Sequence, residues 1–325
     1  MAGKQGTERA GNAHRSGNPA IRAAADRYAA ETGRSGRVTW RDWVGGARLR
    51  TLPLALAPIA AATGVVQMMH QLSWPLTLLA LAVAVFLQIG VNYANDYSDG
   101  IRGTDEFRVG PARLTGSGHV DPKSVLRVAL VFFALAAVAG LTAVILSERW
   151  WFLAIGAVAI VAAWFYTGGK RPYGYMALGE VFVFLFFGLV ATLGTVWLQA
   201  DELPQEAWLA AIGVGLFAVA TLISNNIRDI PTDTLAGKRT LSVLVGKRVS
   251  QILYTACVLL PFVIVFFLSL PYVKVIYAWF VLALVLPAIL ILFTARRPKE
   301  EILVLKLTSF AGLAYGLTLG YGIGW

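Results

Sequence analysis

Two stretches of the chain gather carboxylates, amides and cations at a density that simple connecting loops do not require. The first reads Asn92-Tyr-Ala-Asn95-Asp96-Tyr-Ser-Asp99-Gly-Ile-Arg102-Gly-Thr-Asp105, followed by Arg108 and Arg113. The second reads Asn225-Asn226-Ile-Arg228-Asp229-Ile-Pro-Thr-Asp233, followed by Gly237-Lys238-Arg239-Thr240. Both follow the plan Asn-x-x-x-Asp, then a further Asp, then cations. On a continuing helix, residues 92, 96 and 99 are spaced i, i+4, i+7 and share a face; residues 225, 229 and 233 are spaced i, i+4, i+8 and lie near one another. The two stretches form an internal pseudo-repeat whose halves oppose Asp96 and Asp229 across a central cavity. Pro231 disfavours helical geometry at Ile230 and puts Asp233 in a loop or a new helical turn.

Carboxylates converging on one face repel each other and are costly to desolvate. A divalent cation reverses that cost. Mg²⁺ takes hard oxygen ligands, keeps some of its waters, and joins one or two carboxylates to substrate phosphate. Asparagine adds neutral oxygens, while the nearby arginines and lysines suit the remaining phosphate oxygens. A diphosphate held by Mg²⁺ is the chemistry these residues favour. One such cluster would be explained as well by a solvated helix end. Two with one plan, on one side of a membrane, are not.

A third segment, Tyr166-Thr-Gly-Gly-Lys170-Arg171-Pro-Tyr173-Gly-Tyr175, leads to Gly179-Glu180. It reads either as a short basic loop with interfacial aromatics or as a substrate loop that turns Lys170 and Arg171 toward anionic groups. Glu180 at a helix start is favoured by the helix dipole in any case.

The elements that must position these residues are apolar helices. Of 325 residues, 57% are hydrophobic and 14% charged, which excludes disordered, collagenous and ordinary soluble chains. Uncharged blocks long enough to cross a bilayer run approximately over residues 51–72, 74–95, 128–146, 150–167, 181–198, 207–226, 252–270, 275–293 and 307–325. None alternates polar and apolar residues as an outer-membrane barrel strand does. The expected fold is therefore all-α, a polytopic membrane protein with nine transmembrane helices around a central cavity.

Alternating those helices from an inside N-terminus leaves only Arg149 and Lys274 of the 28 basic residues outside. The positive-inside rule then gives an N-in, C-out orientation in a cytoplasmic membrane. The net charge of +10 needs no nucleic-acid partner to explain it. Residues 1–38 are rich in Gly, Ala, Arg and Ser and read as a disordered cytoplasmic tail, with no apolar run of the kind a signal peptide needs. Residues 39–325 form the membrane domain.

His14, His70 and His119 are too scattered for a histidine metal site or triad, and the single Cys257 cannot make an intramolecular disulfide. Glycines 188 and 194, and 312, 316 and 320, read as sites of close helix contact. The glycines near 110–118 follow no strand, so they are not a P-loop.

At these motifs the chain resembles the UbiA superfamily of intramembrane aromatic prenyltransferases. The resemblance runs from about Trp43 to the C-terminus. It is carried by Arg50-Thr-Leu-Pro with Ala57-Pro58, "NYANDYSDGIRGTD", "RVGPARLTGSG", "YTGGKRPYGYMALGE" and "NNIRDIPTDTLAGKRTLSVLVGK". The third and fourth of these stretches, "RVGPARLTGSG" and "YTGGKRPYGYMALGE", point to the members that act on 1,4-dihydroxy-2-naphthoate in menaquinone synthesis. The resemblance implies transfer of a polyprenyl group from polyprenyl diphosphate to that acceptor, with loss of CO₂ and diphosphate, giving demethylmenaquinone. It also implies Mg²⁺ on Asn92, Asp96, Asp99, Asn225, Asp229 and Asp233, the four aspartates being catalytic. Arg102, Lys170, Arg228, Lys238 and Arg239 would meet the diphosphate. Tyr93, Tyr97, Asp105, Tyr166 and Arg171 would serve the acceptor or the allylic cation. The rival readings are a related enzyme using 4-hydroxybenzoate, homogentisate or phosphoribosyl diphosphate, and a secondary transporter. The transporter reading fits poorly, because its ionisable groups would sit at the bilayer midplane.

Overall fold

The structure is a computed structural model that describes residues 38–102, 114–116, 120–169 and 172–325. The expected tail lies almost wholly outside those residues, as do Asp105, Lys170 and Arg171. Among the described residues there is no β-strand, only an isolated bridge between Met176 and Arg239.

The helices run α1 (Trp40–Gly46), α2 (Pro53–Met68), α3 (Trp74–Arg102), α4 (Pro122–Ser147), α5 (Phe152–Phe165), α6 (Gly179–Gln199), α7 (Gln205–Leu235), α8 (Leu241–Leu268), α9 (Val273–Thr294) and α10 (Pro298–Gly324). A 3₁₀ turn at Leu49–Thr51 links α1 to α2, and another at Tyr173–Tyr175 precedes α6. Seven of the helices, α3, α4 and α6 to α10, are long and apolar enough to cross a membrane. The α1 region meets α2 at a 46° bend, and α5 is a shorter apolar helix. Each apolar block of the sequence is thus helical, but two of them form helices of only 16 and 14 residues.

Local chemistry accounts for the starts and bends. Asp121 caps α4 by accepting the Lys123 amide at 3.2 Å, with Pro122 in the first turn where its missing N–H costs nothing. Thr240 caps α8 through Val243 N–H. A π-helical turn at Phe184–Val190 interrupts α6. Pro231 was expected to break its helix, yet α7 runs on through it to Leu235. The second acidic stretch therefore lies on one helix, and Asp233 sits two turns beyond Asn225.

Burial ranks the helices. In the most apolar stretch of α7, 72% of residues are buried, against 17% for α3, so α7 is the central pillar and α3 lies on the flank of a cavity. The pillar packs against α8 and α10, and α10 packs along α2. The α2–α10 contact is backbone to backbone. A Cβ on Gly320 would stand 2.3 Å from the Ala60 carbonyl oxygen, and one on Gly316 2.4 Å from that of Ala57. The glycines expected to permit close helix approach do so here. Lipid-type packing explains why: with no hydrophobic drive between helices in a bilayer, close van der Waals contact supplies the attraction.

Candidate active site

A cavity of about 610 Å³ opens between α2, α3, α4, α5, α6 and α7. Its lining on α3 is a helical stripe of Ala80, Val83, Ala84, Leu87, Gln88, Val91, Asn92, Asn95 and Asp99. At 1.5 Å per residue that stripe is about 28 Å long. It changes along its length, apolar first and polar in its last three turns. On α7 the stripe runs Ala218, Thr221, Leu222, Asn225, Asn226, Asp229 and Asp233, with the same change of character. The two acidic helix ends therefore share one hollow, and α4 and α5 wall its other end with small and apolar residues such as Ala136, Gly140, Ile155 and Gly156.

Cations already lie among the carboxylates. The Lys238 ammonium is 3.5 Å from Asp99 Oδ2 and 3.9 Å from Asp233 Oδ1, bridging the two motifs. Arg228 forks onto its neighbour, Nε and Nη2 each donating to Asp229 at 2.7 Å, and Nη2 also reaches Asn225 Oδ1 at 2.7 Å. Its remaining nitrogen, Nη1, is buried and has no hydrogen-bond partner among the described residues. Arg228 is itself not among the residues that line the cavity, so it acts there through Asn225 and Asp229, which are.

The Tyr173–Tyr175 turn closes over this end. The Tyr175 hydroxyl donates to Asp99 Oδ1 at 2.5 Å. Its ring lies 4.6 Å from the Lys238 ammonium and 5.5 Å from the Arg102 guanidinium, within cation–π range. The Arg239 amide donates to the Tyr175 carbonyl at 3.1 Å, tying the turn to the segment after α7. Tyr166 and Tyr173 meet edge to face at 5.5 Å, and Tyr173 stacks on Phe182 at 4.1 Å, so π faces line one wall. Burial pushes the Tyr173 phenol well above its ordinary range. It therefore stays protonated and donates to the Ala162 carbonyl at 2.8 Å.

Asn92, Asp99, Asn225, Asp229, Asp233, Lys238 and Tyr166 all line the cavity, as the spacing led one to expect. Others do not. Asp96 is turned aside, its carboxylate receiving the amides of Leu114 and Thr115. Arg102 donates to the carbonyls of Thr167 and Gly169, so it latches the third segment to α3. Arg239 is exposed and contributes its backbone. Tyr93 and Tyr97 pack away from the cavity, the Tyr93 hydroxyl on the Trp43 carbonyl at 2.5 Å and its ring beside Phe132. A cation in the cavity does not meet either ring.

Among the lining residues to which the sequence reading gave no role, three stand at the polar end beside the carboxylates. Asn95, one turn before Asp99, accepts the Thr167 hydroxyl at 2.6 Å. Arg48 and Arg50 enter the polar end from the 3₁₀ turn that precedes α2. The signal for the arginines was present: two cations directly before an apolar helix, on the side where the acidic stretches end.

The donor set fits a hard divalent cation shared with a phosphate. Among the described residues no three His, Cys, Asp or Glu side chains form a self-sufficient metal cluster. The oxygens come instead from Asn95, Asp99, Asn225, Asp229 and Asp233 around one hollow. The Lys238 ammonium between Asp99 and Asp233 marks a place where positive charge is stabilised. Such a half-shell suits Mg²⁺, which leaves positions for water and phosphate.

Among the described residues, an all-helical architecture with seven helices apolar and long enough to cross a membrane surrounds a half-polar, half-apolar hollow with paired acidic ends. Comparison agrees: the family model described as the UbiA prenyltransferase family matches residues 55–310, and the chain belongs to that family. It is 46% identical over 286 residues to the 1,4-dihydroxy-2-naphthoate octaprenyltransferase of Mycobacterium tuberculosis, covering 86% of this chain and 96% of that one. Two solved structures share its fold at 16% identity. The UbiA homologue from Aeropyrum pernix K1 has a TM-score of 0.62 over 83% of this chain and 96% of its own. The homologue from Archaeoglobus fulgidus, described as bound to DMAPP and Mg²⁺, has a TM-score of 0.54 over 84% of this chain and 98% of its own.

Proposed function

We propose that the chain transfers a polyprenyl group from polyprenyl diphosphate to 1,4-dihydroxy-2-naphthoate, releasing CO₂ and diphosphate, in menaquinone synthesis. One observation carries the chemistry: a single hollow joins the acidic ends of α3 and α7 to apolar walls, along a stripe of α3 that is about 28 Å long in all and apolar in its first part. The M. tuberculosis relative's name supports the choice of acceptor.

Asn95, Asp99, Asn225, Asp229 and Asp233 would hold Mg²⁺, which when bound neutralises the diphosphate and stabilises the charge that builds on the leaving group. Asn92 lies a turn earlier on the same wall and keeps its amide nitrogen on Ala47 O and Thr51 Oγ1. Lys238 contributes hydrogen bonds to diphosphate oxygens, and Arg228, outside the cavity lining, holds the Asp229 and Asn225 side chains that do line it. The apolar walls take up the prenyl tail and keep water from the allylic carbon once its C–O bond breaks. Tyr166, Tyr173 and Phe182 turn π faces toward the same wall and steady positive charge there. The acceptor ring then forms its C–C bond at the carbon that carries the carboxylate, and CO₂ departs.

The spans and their direction belong to the same reading. Arg149 pairs with Asp201, so the start of α5 and the end of α6 lie at one end of the molecule. Ser73 N–H donates to Gln199 Oε1 at 2.8 Å, and Tyr272 contacts both Met68 Sδ and Glu206, which adds the end of α2 to that group. Arg50, Asp99, Asp229 and Lys238 mark the other end. This supports counting α2 and α5 as full spans beside the seven long helices, nine in all. The positive-inside rule then puts the site on the cytoplasmic face of the cell membrane.

Purified protein with Mg²⁺, a polyprenyl diphosphate and a panel of acceptors tests the reading. Prenylated naphthoquinol is expected. Product from 4-hydroxybenzoate, homogentisate or phosphoribosyl diphosphate, with none from the naphthoate, would replace it with another acceptor class.

A further inference from the structure

Asp96 belongs to the acidic stretch by sequence and stands apart from it in space. It is 1% exposed and is absent from the cavity wall that Asn92, Asn95 and Asp99 build. With 3.6 residues per turn, those three fall within an arc of about 60°, and Asp96 lies roughly 60° round from Asp99 toward the neighbouring turn. There its oxygens each take one amide of that turn, Oδ2 from Leu114 at 3.0 Å and Oδ1 from Thr115 at 2.9 Å. Two consecutive N–H groups on one carboxylate form a charge-assisted clamp that fixes both partners.

The clamp leads directly to the cations of the cavity. Thr115 lies so close to α3 that a Cβ on Gly100 would stand 2.3 Å from its Cγ2, which is why the residue one turn after Asp96 is glycine. Leu114 is 4% exposed and fills the corner beside α1, where a Cβ on Gly46 would stand 2.9 Å from its Cδ1. The next residue, Ala47, offers its carbonyl to Asn92 Nδ2 at 2.9 Å. Arg48 follows, a non-glycine residue with φ of 51°, and Arg48 and Arg50 reach into the polar end. A non-glycine side chain held in the left-handed region is strained and persists only where its surroundings fix it.

We propose that Asp96 is a positioning residue rather than a metal ligand. It pins the Leu114–Gly116 turn to α3, and through Leu114 it braces the Gly46–Thr51 corner that presents Arg48 and Arg50 opposite Asp99. The kinetic readout rests on the prenyl-transfer reading, and the clamp itself on the two hydrogen bonds to Asp96.

Three measurements on Asp96→Asn, Leu114→Ala, Asp96→Cys and Asp99→Cys test it. Hydrogen–deuterium exchange across 114–116 is expected to speed up in Asp96→Asn. The KM for prenyl diphosphate is expected to rise about tenfold in both Asp96→Asn and Leu114→Ala, with the Mg²⁺ concentration for half-maximal rate unchanged. A thiolate selects soft cations, so Cd²⁺ should restore rate to Asp99→Cys and not to Asp96→Cys. Unchanged exchange in Asp96→Asn, a raised Mg²⁺ requirement in that variant, or Cd²⁺ rescue of Asp96→Cys would each overturn the proposal. Should Asp96→Asn fail to fold, Leu114→Ala, which leaves every carboxylate in place, decides: an unchanged KM counts against the brace. If the wild-type protein prenylates no acceptor, the functional reading falls, and the exchange result still judges the clamp.

Discussion

Asp99 is where the two motifs, the closing turn and the cationic segment meet, through Tyr175 and Lys238. Removing its charge leaves Lys238 with one carboxylate and takes an oxygen ligand from the cation site. Asp99→Asn and Asp229→Asn are each expected to lower turnover at least a hundredfold, a loss of about 3 kcal/mol of transition-state stabilisation, with the fold retained. Rates across an Mg²⁺ titration check this, because a ligand loss is partly recovered at high Mg²⁺ whereas a packing defect is not. Full activity in either variant would remove the acidic pair from the chemistry. That the two acidic stretches share one hollow was legible in their matching plan, although the first Asn-x-x-x-Asp run, Asn92 to Asp96, ends on a residue outside the cavity lining. What the spacing did not decide is which neighbour covers which flank of the helix. Asn92, Asp96 and Asp99 span nearly the same arc as Asn92, Asn95 and Asp99. Only the placement of Leu114 and Thr115, far along the chain, turns Asp96 away and gives Asn95 the cavity.

The elements are set by hydropathy, and their exceptions by packing. Pro231 illustrates the limit. Its missing N–H and ring argue for a break, but α7 continues through it to Leu235, where the Thr232 and Thr234 hydroxyls donate to the Asp229 and Ile230 carbonyls of the same turns. Glycines decide the α2–α10 seam, and leucine at position 320 would drive a side chain into the Ala60 carbonyl. Gly320→Leu is expected to cost roughly 1–3 kcal/mol and to lower the thermal unfolding temperature in detergent. Gly45→Ala, with nothing within 4 Å of its Cβ, should leave that temperature unchanged. Gly140 offers the converse case. It lines the apolar end of the cavity, and its Cβ would meet only a Val83 methyl at 3.7 Å. Gly140→Phe therefore fills the hollow without disturbing α4, and the enzyme should turn to shorter prenyl donors. Competition among donors of graded length, read by mass spectrometry of the products, checks this; an unchanged distribution would place the tail elsewhere.

At the scale of the whole molecule, the sequence already contains a direction, because its basic residues crowd the connections at one end. The weak point is α5, whose 14 residues rise only about 21 Å, short of the roughly 30 Å of hydrocarbon. Geometry compensates for length. Arg149 before α5 and Asp201 after α6 form an ion pair, while Tyr166 at the far end of α5 lines the same polar hollow as Asp99. A helix that starts at one end of the bundle and finishes at the other crosses it, and Trp150 and Trp151 suit the interface at its start. The two ends should then be separable from outside the cell. In a Cys257→Ser background, Asp201→Cys is expected to react with a membrane-impermeant maleimide on intact cells, and Thr234→Cys, exposed at the end of α7, only after permeabilisation. A third probe at Met176, exposed between α5 and α6, should behave like Thr234 if α5 crosses. Labelling of Met176→Cys on intact cells together with Asp201→Cys would make α5 a re-entrant segment and move the mouth of the cavity to the outer face, where the positive-inside reading does not allow it.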